Sequence, residues 1–184
     1  MLKKSNHRII IIALFPFLLI LLAGCTEKTV KDTDPYIQPV EAVLQNALNG
    51  PKDELIEIWN KQKESKANGE EKQAALGEYE EAVFKDYFSN QKSYNDFITR
   101  YGTILMMESY KKDYSLKVKN IEFERTDSKG KIYNFSISLA YHKKGMDEPK
   151  VKQVTGQANV NADYKIERMF IRVNDLWGSI DKRK

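Results

Sequence analysis

Hydrophobic positions recur every three to four residues in the first half of the chain beyond residue 35. One such stripe predicts a one-faced helix over residues 39–48, and Asn49-Gly50-Pro51 ends it. We expect Pro51 to occupy the first position of a second helix, with Asp53 and Glu54 in its first turn. The two buried stripes consist of Val40, Val43, Leu44, Ala47 and Leu48, and of Leu55, Ile56, Ile58 and Trp59.

The next segment, Lys61–Gln73, has no apolar stripe, contains Asn68-Gly69, and is expected to form a frayed helix end and an exposed loop. A third helix is predicted over Ala74–Phe88. A fourth should begin near Ser93, because Ser93 and Asp96 have the spacing of a capping box. The aromatic residues in these two helices lie at helical spacing, which is typical of core positions rather than of a ligand cage.

Near Ser115 the period of the pattern changes from 3.6 to 2, which indicates strands. The alternation changes parity between Val118 and Ile121, so we expect a β-bulge near Lys119-Asn120. A second strand follows the turn Thr126–Lys131, a third carries small inward residues, and a fourth is predicted over Tyr164–Val173. In the second strand the predicted inner side chains are Tyr133, Phe135, Ile137, Leu139 and Tyr141, and the outer ones are Asn134, Ser136, Ser138 and His142.

Helices thus come first and a four-stranded antiparallel meander second. This order predicts the α+β class, with N-terminal helices packed on one face of a curved four-stranded antiparallel sheet. No repeat or low-complexity tract interrupts the chain.

The first 24 residues differ in character from the rest. Lys3, Lys4 and Arg8 precede fifteen positions, Ile9–Ala23, that are apolar apart from Pro16. This run is shorter than the ~20 residues that a transmembrane helix needs. A basic start followed by an apolar core of this length is typical of a signal peptide.

The single cysteine of the chain follows this run directly. Leu22-Ala23-Gly24-Cys25 resembles the bacterial lipobox, the recognition site for lipoprotein processing. The resemblance implies that a signal peptidase recognises Leu22, Ala23 and Gly24 and cleaves before Cys25. It also implies a diacylglyceryl group on the sulfur of Cys25 as the lipid attachment. An uncleaved signal anchor with an incidental cysteine is the alternative.

These features predict the domain organisation. Residues 1–24 form a lipoprotein signal peptide, 25–35 the lipidated cysteine and a polar tether, 36–177 a single α+β domain, and 178–184 a basic tail. The expected location is the extracytoplasmic face of the cell membrane. The 24 lysines against 6 arginines are compatible with an AT-rich Gram-positive genome.

The net charge of the chain beyond the leader limits which partners are expected. Removing the three leader bases from the 30 of the whole chain leaves 27 bases against 26 acids. A nearly neutral domain exerts no bulk attraction on nucleic acid, so nucleic acid is not expected as a partner. The expected contacts are the membrane, through the lipid on Cys25, and an envelope protein or wall polymer.

The order of helices and long bulged strands is similar to the nuclear transport factor 2-like (cystatin-like) cone fold, over about residues 36–177. The hairpin segments Gly130–Tyr141 and Tyr164–Val173 carry the resemblance. It implies a strongly curved sheet around a long helix. That fold contains both pocket enzymes and structural modules, so it does not decide function.

The sequence offers few groups for catalysis. His142 is the only histidine outside the leader, and we interpret it as a solvent-exposed residue beside a turn. The acidic pairs Glu70-Glu71 and Glu80-Glu81 are expected on polar helix faces or in loops. The pattern contains no metal-ligand spacing, phosphate loop or nucleophile elbow, so no catalytic residue, metal or cofactor is predicted.

Two hypotheses of function remain. The leading one is a non-catalytic binding or assembly module at the outer face of the cytoplasmic membrane. The alternative is a small pocket enzyme or small-ligand carrier of the cone fold, using tyrosine hydroxyls and one acid. A substrate-binding lipoprotein of a transporter would normally be two-lobed and much longer.

Overall fold

The computed structural model describes residues 34–64, 69–126 and 131–173. Within these ranges helices precede a four-stranded antiparallel sheet, which confirms the predicted α+β class. The helices are α1 (Gln38–Leu48), α2 (Asp53–Glu64), α3 (Gly69–Phe84), α4 (Gln91–Ile98) and α5 (Ile104–Lys111). The strands are β1 (Tyr114–Arg125), β2 (Lys131–Lys143), β3 (Lys150–Val160) and β4 (Ile166–Ile171).

The start of α2 differs from the prediction. This helix begins at Asp53, and Pro51 lies before it rather than at its first position. The backbone of Gly50 exchanges two hydrogen bonds with Leu116 of β1, at 3.0 and 2.7 Å. This pairing keeps the segment between α1 and α2 extended and covers part of the β1 edge.

The predicted exposed loop over Lys61–Gln73 is mostly helical. Helix α2 continues to Glu64 and α3 already begins at Gly69, so only residues 65–68 lie outside the described chain. The segment is rich in lysine, glutamate, glutamine and alanine, which have high helix propensity even without an apolar stripe. The spacing of apolar residues therefore does not predict the end of α2 or the start of α3.

The prediction of the third and fourth helices also needs correction. Helix α3 ends at Phe84 and a 3₁₀ turn, Lys85–Tyr87, follows it. The N-cap of α4 is Asn90, whose Oδ1 accepts a hydrogen bond from the Ser93 backbone N–H at 3.0 Å, so the proposed capping box is wrong. The fourth predicted helix is two helices, α4 and α5, because the chain breaks at Gly102, where φ is +24°.

The sheet is a meander with strand order β1-β2-β3-β4. Its register shifts between Val118 and Asn120, so the predicted β-bulge is confirmed. Strand β4 is shorter than predicted. Tyr164 has a left-handed φ of 59° in the turn before it, which delays the first paired residue to Ile166.

The inner face of the sheet and the helices form the main core. The predicted inward residues of β2 and β3 are buried, apart from half-buried Tyr141, and the helices contribute an aromatic cluster at ring distances of 5–6 Å. The prediction that the helical aromatics are core is confirmed for this cluster, which consists of Phe84, Phe88, Phe97 and Tyr101.

Asn49 connects α1 to the sheet, and its loss should measurably destabilise the domain. Its Oδ1 accepts a hydrogen bond from the buried Val118 N–H at 2.7 Å. Asn49→Ala leaves that donor without its partner, so the free energy of unfolding should fall by about 1–3 kcal/mol in urea titrations. The control Asn95→Ala, on the exposed surface of α4, should change it by less than about 0.5 kcal/mol. Equal stability of the Asn49 and Asn95 variants would contradict this role.

Candidate functional site

Seven consecutive outward positions near the middle of the two central strands carry neutral polar residues. We call these residues the polar face. They are Asn134, Ser136 and Ser138 of β2 and Gln153, Thr155, Gln157 and Asn159 of β3. Alternation along each strand places them opposite the core, and all are exposed or half-buried. The β2 positions confirm the outward set predicted from the sequence.

Hydrogen bonds between strands hold these side chains in place. Gln153 accepts from the Ser136 hydroxyl at 3.2 Å and donates to the Ser138 hydroxyl at 2.8 Å. The Gln157 amide donates to Asn134 Oδ1 at 2.9 Å. The polar face is therefore ordered before any ligand arrives.

A hollow of about 440 Å³ lies along the middle of the polar face, beside Asn134, Ser136 and Thr155. This volume falls within the range of small-molecule clefts, about 300–1,000 Å³. Outward side chains from every strand or its end contribute to the lining, and Phe123, Phe135 and Gly156 lie between them. The outward members are Glu122, Glu124, Asn134, Ser136, Thr155 and Arg172.

Gly156 is required for this geometry. An added Cβ would lie 2.2 Å from a ring atom of Phe135 and 2.2 Å from the carbonyl oxygen of Phe170. The Phe135 ring occupies the position that a side chain would fill. The third strand was predicted to carry small inward residues, and at Gly156 the Phe135 ring explains why the residue is small.

A second hollow, of about 290 Å³, lies at one end of the outer sheet surface. Its lining includes Lys117, Lys119 and His142. His142 is half-buried and its Nε2 lies 2.9 Å from the carbonyl oxygen of Met146 in the following loop. The interpretation of His142 as a solvent-exposed residue is therefore only partly right, since the loop folds back on the ring.

The buried carboxylate of the described chain was not anticipated. Glu80 is only 8% exposed, and its Oε1 accepts from the backbone N–H and the hydroxyl of Thr103 at 3.1 and 2.8 Å. The expectation that Glu80 lies on a polar helix face is wrong. It occupies a place in the apolar stripe between Leu76 and Phe84, which was the available signal. The carboxylate lies at the N-terminus of α5, where the positive end of the helix dipole stabilises a negative charge. These contacts give Glu80 a structural role.

Two further polar atoms are buried near Glu80. Trp59 Nε1 and the Tyr79 hydroxyl have no hydrogen-bond partner among the described residues. Burial, with Glu54 and Glu80 nearby, raises the pKa of Tyr79. Both side chains belong to a small second core with Leu55 and Met106, away from the polar face.

The chain enters the domain beside the start of β2. Asp34 Oδ2 accepts a hydrogen bond from the Tyr133 hydroxyl at 3.0 Å, and Tyr133 directly precedes Asn134 of the hollow. Lys131 Nζ lies 3.3 Å from the ring centroid of Tyr36. These contacts fix the point at which residues 25–33 join the domain.

Two buried tyrosines should make stability depend on alkaline pH. Burial raises the pKa of Tyr133 to about 12, with the Asp34 hydrogen bond adding to it, and burial beside Glu80 and Glu81 raises the pKa of Tyr94 to about 12. The folded chain keeps protons that the unfolded chain releases near pH 10. The free energy of unfolding should therefore fall as pH rises from about 10 to 12. Tyr133→Phe should show a shallower fall in urea titrations, and an unchanged slope would contradict the assignment.

The other sequence-predicted site residues, Leu22, Ala23, Gly24 and Cys25, lie outside the described residues. Within the described ranges there is no group of three or more histidine, cysteine, aspartate or glutamate side chains placed to hold a metal ion. No helix of those ranges has the length and apolar character to cross a membrane.

No family model matches the chain, and no curated protein matches it. One solved structure, a mutant of the helical cell shape determining protein Pgp2 from Campylobacter jejuni, matches 50% of this chain at 12% identity and a TM-score of 0.31. The chain spans about a third of that protein, and a likeness this low carries no argument about fold or function.

Proposed function

We propose that this protein is a lipid-anchored, non-catalytic binding or assembly module at the outer face of the cytoplasmic membrane. The observation that carries the binding role is the polar face with its hollow, because its side chains are held in place by cross-strand bonds. Sites arranged in advance lose less entropy on binding.

The anchor is supported by the leader. A basic start, a fifteen-residue apolar core and Leu22-Ala23-Gly24-Cys25 follow one another in the order that lipoprotein processing requires. Two acyl chains on Cys25 would hold the chain far more firmly than one, since each buried CH₂ contributes about 0.8 kcal/mol.

The tether then sets the distance from the membrane. The nine residues from Cys25 to the fixed Asp34 contact span at most ~32 Å when extended. The tether joins the domain on the inner side of β2, where Asp34 contacts Tyr133, and the hollow lies on the other side of the same strand. The short tether keeps the whole domain, and with it the proposed binding surface, near the lipid headgroups and whatever polymer or protein lies next to them.

The domain is proposed to be a member of the nuclear transport factor 2-like cone group. Support comes from the order of its elements, the bulge in β1 and the long central hairpin. Membership would leave open whether the module is structural or enzymatic.

The alternative, a small pocket enzyme or ligand carrier, would place its pocket inside the curve of the sheet. In the described residues that region is filled by Tyr133, Ile137, Leu139 and the aromatic cluster. This filled core favours the non-catalytic module over the pocket enzyme. The alternative is favoured by the outer hollow, whose lining includes the carboxylates of Glu122 and Glu124 on β1 and the guanidinium of Arg172 after β4.

A crosslinking experiment tests the proposal. The tagged full-length chain is crosslinked in membranes and purified in three forms. These are the wild type, the polar-face variant Ser136→Lys/Thr155→Lys, and the control Gln91→Lys/Asn95→Lys on α4. An envelope component should be recovered with the wild type and control and lost with the polar-face variant. Recovery of the same components by all three forms, or turnover of a small substrate by the wild type, would overturn the proposal.

A further inference from the structure

We propose that the polar face binds a neutral polysaccharide whose sugar rings carry hydroxyl and acetamido groups. This inference rests on the proposed function and names the chemistry of the occupant. It is argued from the functional groups of the face, from its charge, from one exposed ring and from its dimensions.

The functional groups match those of a sugar polymer. The seven residues of the face offer amides and hydroxyls, each of which both donates and accepts hydrogen bonds. Every amide has more donor and acceptor capacity than its one or two cross-strand bonds use. Sugar hydroxyls and acetamido groups need partners of both kinds.

The charge of the face argues against an anionic polymer. Charged residues make up 30% of the chain, yet the outward positions from Asn134 to Ser138 and from Gln153 to Asn159 contain none. In the adjoining hollow the carboxylates of Glu122 and Glu124 outnumber the single cation, Arg172. A phosphate-rich chain would meet net repulsion in this hollow, while the cations Lys117 and Lys119 lie in the second hollow, beyond the polar face.

The composition also argues against a protein partner. The cores of protein interfaces are enriched in aromatic and apolar side chains, which supply most of the binding energy. The exposed large apolar residues on this side of the sheet are Phe170, which lies on the edge strand β4, and Val151, near the beginning of β3. Neither lies at the centre of the face.

Phe170 supplies the platform that a sugar ring needs. The side chain is 44% exposed and pairs with Gln157 across β3 and β4, so it lies on the outward side beside the hollow. The Arg172 guanidinium carbon lies 5.7 Å from the ring centroid and helps to fix the ring. The negative face of an aromatic ring attracts the weakly positive C–H groups of a sugar.

The dimensions suit an extended ligand. From Gln153 to Asn159 the face is about 20 Å long at the rise of an antiparallel strand, and the hollow lies along its middle part. A repeating polymer can use the same amides and hydroxyls along this length.

The test uses the full-length lipoprotein in detergent micelles and a hexamer of N-acetylglucosamine as the probe, measured by titration calorimetry. The wild type should bind the hexamer, and Gln157→Ala/Phe170→Ala should bind it at least tenfold more weakly. The control Gln91→Ala, an exposed amide on α4, should bind within twofold of the wild type. Thermal unfolding of each variant shows whether the fold is kept. Gln157 is exposed and its side chain bonds to Asn134 on the surface, so Gln157→Ala alone should weaken binding without changing the unfolding temperature.

Three results would overturn the inference. One is no binding of the hexamer at millimolar concentration. Another is displacement of the hexamer by poly(glycerol phosphate), which would indicate an anionic polymer. The third is a dimer that dissociates in the Gln157→Ala/Phe170→Ala variant, which would make a second copy the occupant. If membrane crosslinking still depends on the polar face in any of these cases, the proposed function stands and only the sugar assignment fails.

Discussion

A Gly156→Ala variant is expected to lose much of its stability. The new Cβ would lie 2.2 Å from both a Phe135 ring atom and the carbonyl oxygen of Phe170. The ring could move only into a core that is already filled, and the carbonyl belongs to the backbone of β4. Overpacking of this kind costs about 1–3 kcal/mol and sometimes more, so the urea midpoint should fall accordingly.

Gly77 provides the matched control for this substitution. It lies inside α3, and a Cβ there would meet no atom within 4 Å. Gly77→Ala should stabilise the protein by about 0.5–1 kcal/mol, because alanine loses less backbone entropy than glycine in a helix. Two glycine-to-alanine changes should therefore shift stability in opposite directions. A Gly156→Ala variant as stable as the wild type would contradict the packing of the hollow.

A Cys25→Ser variant is expected to acquire no lipid and to lose the processing and retention of the wild type. Only the thiol can form the thioether, so the variant should incorporate no labelled palmitate and should keep its uncleaved leader or leave the membrane fraction. Without buried acyl chains, about 0.8 kcal/mol per CH₂ of anchoring is lost. The effect should be nearly complete rather than graded.

Thr26→Ala is the control for the anchor. It changes the neighbouring tether residue but keeps Leu22-Ala23-Gly24-Cys25, so palmitate incorporation and membrane retention should equal those of the wild type. If Cys25→Ser were trimmed and retained as the wild type is, the lipid would not be on this cysteine and the proposed location would fail.

Periodicity predicted the fold class and the inner and outer faces of the sheet. Alternation in β2 placed Tyr133, Phe135 and Ile137 inside and Asn134 and Ser136 outside, because one side of a sheet that packs on helices must be apolar. The change of parity after Val118 located the bulge. These features depend on local pattern alone.

Helix boundaries were less predictable because helix propensity, capping and tertiary contacts determine them, rather than the apolar pattern. The charged segment after Lys61 is helical by propensity, without an apolar stripe. Asn90 rather than Ser93 caps α4, and both residues are suited to that position. Glu80 is buried because Thr103, 23 residues away, offers two donors to its carboxylate. No local pattern reveals a partner that distant.

The outward residues of the candidate site were predictable from the sequence, but the hollow was not. The outward residues of β2 followed from alternation, whereas the hollow depends on the register that aligns Ser136 with Thr155 and Phe135 with Gly156. Register and the position of Phe170 come from tertiary pairing. The polar character of the face was therefore predictable from the sequence, but the alignment of both strands into one surface was not.

Site-specific photocrosslinking in intact cells tests the central claim that this surface makes the functional contact. A photoreactive amino acid replaces Ser136 on the polar face in one strain and Gln91 on α4 in another, in the otherwise unchanged full-length protein. Adducts of higher mass are expected from position 136 and not from position 91. Equal adducts from both positions, or adducts from position 91 alone, would contradict the account.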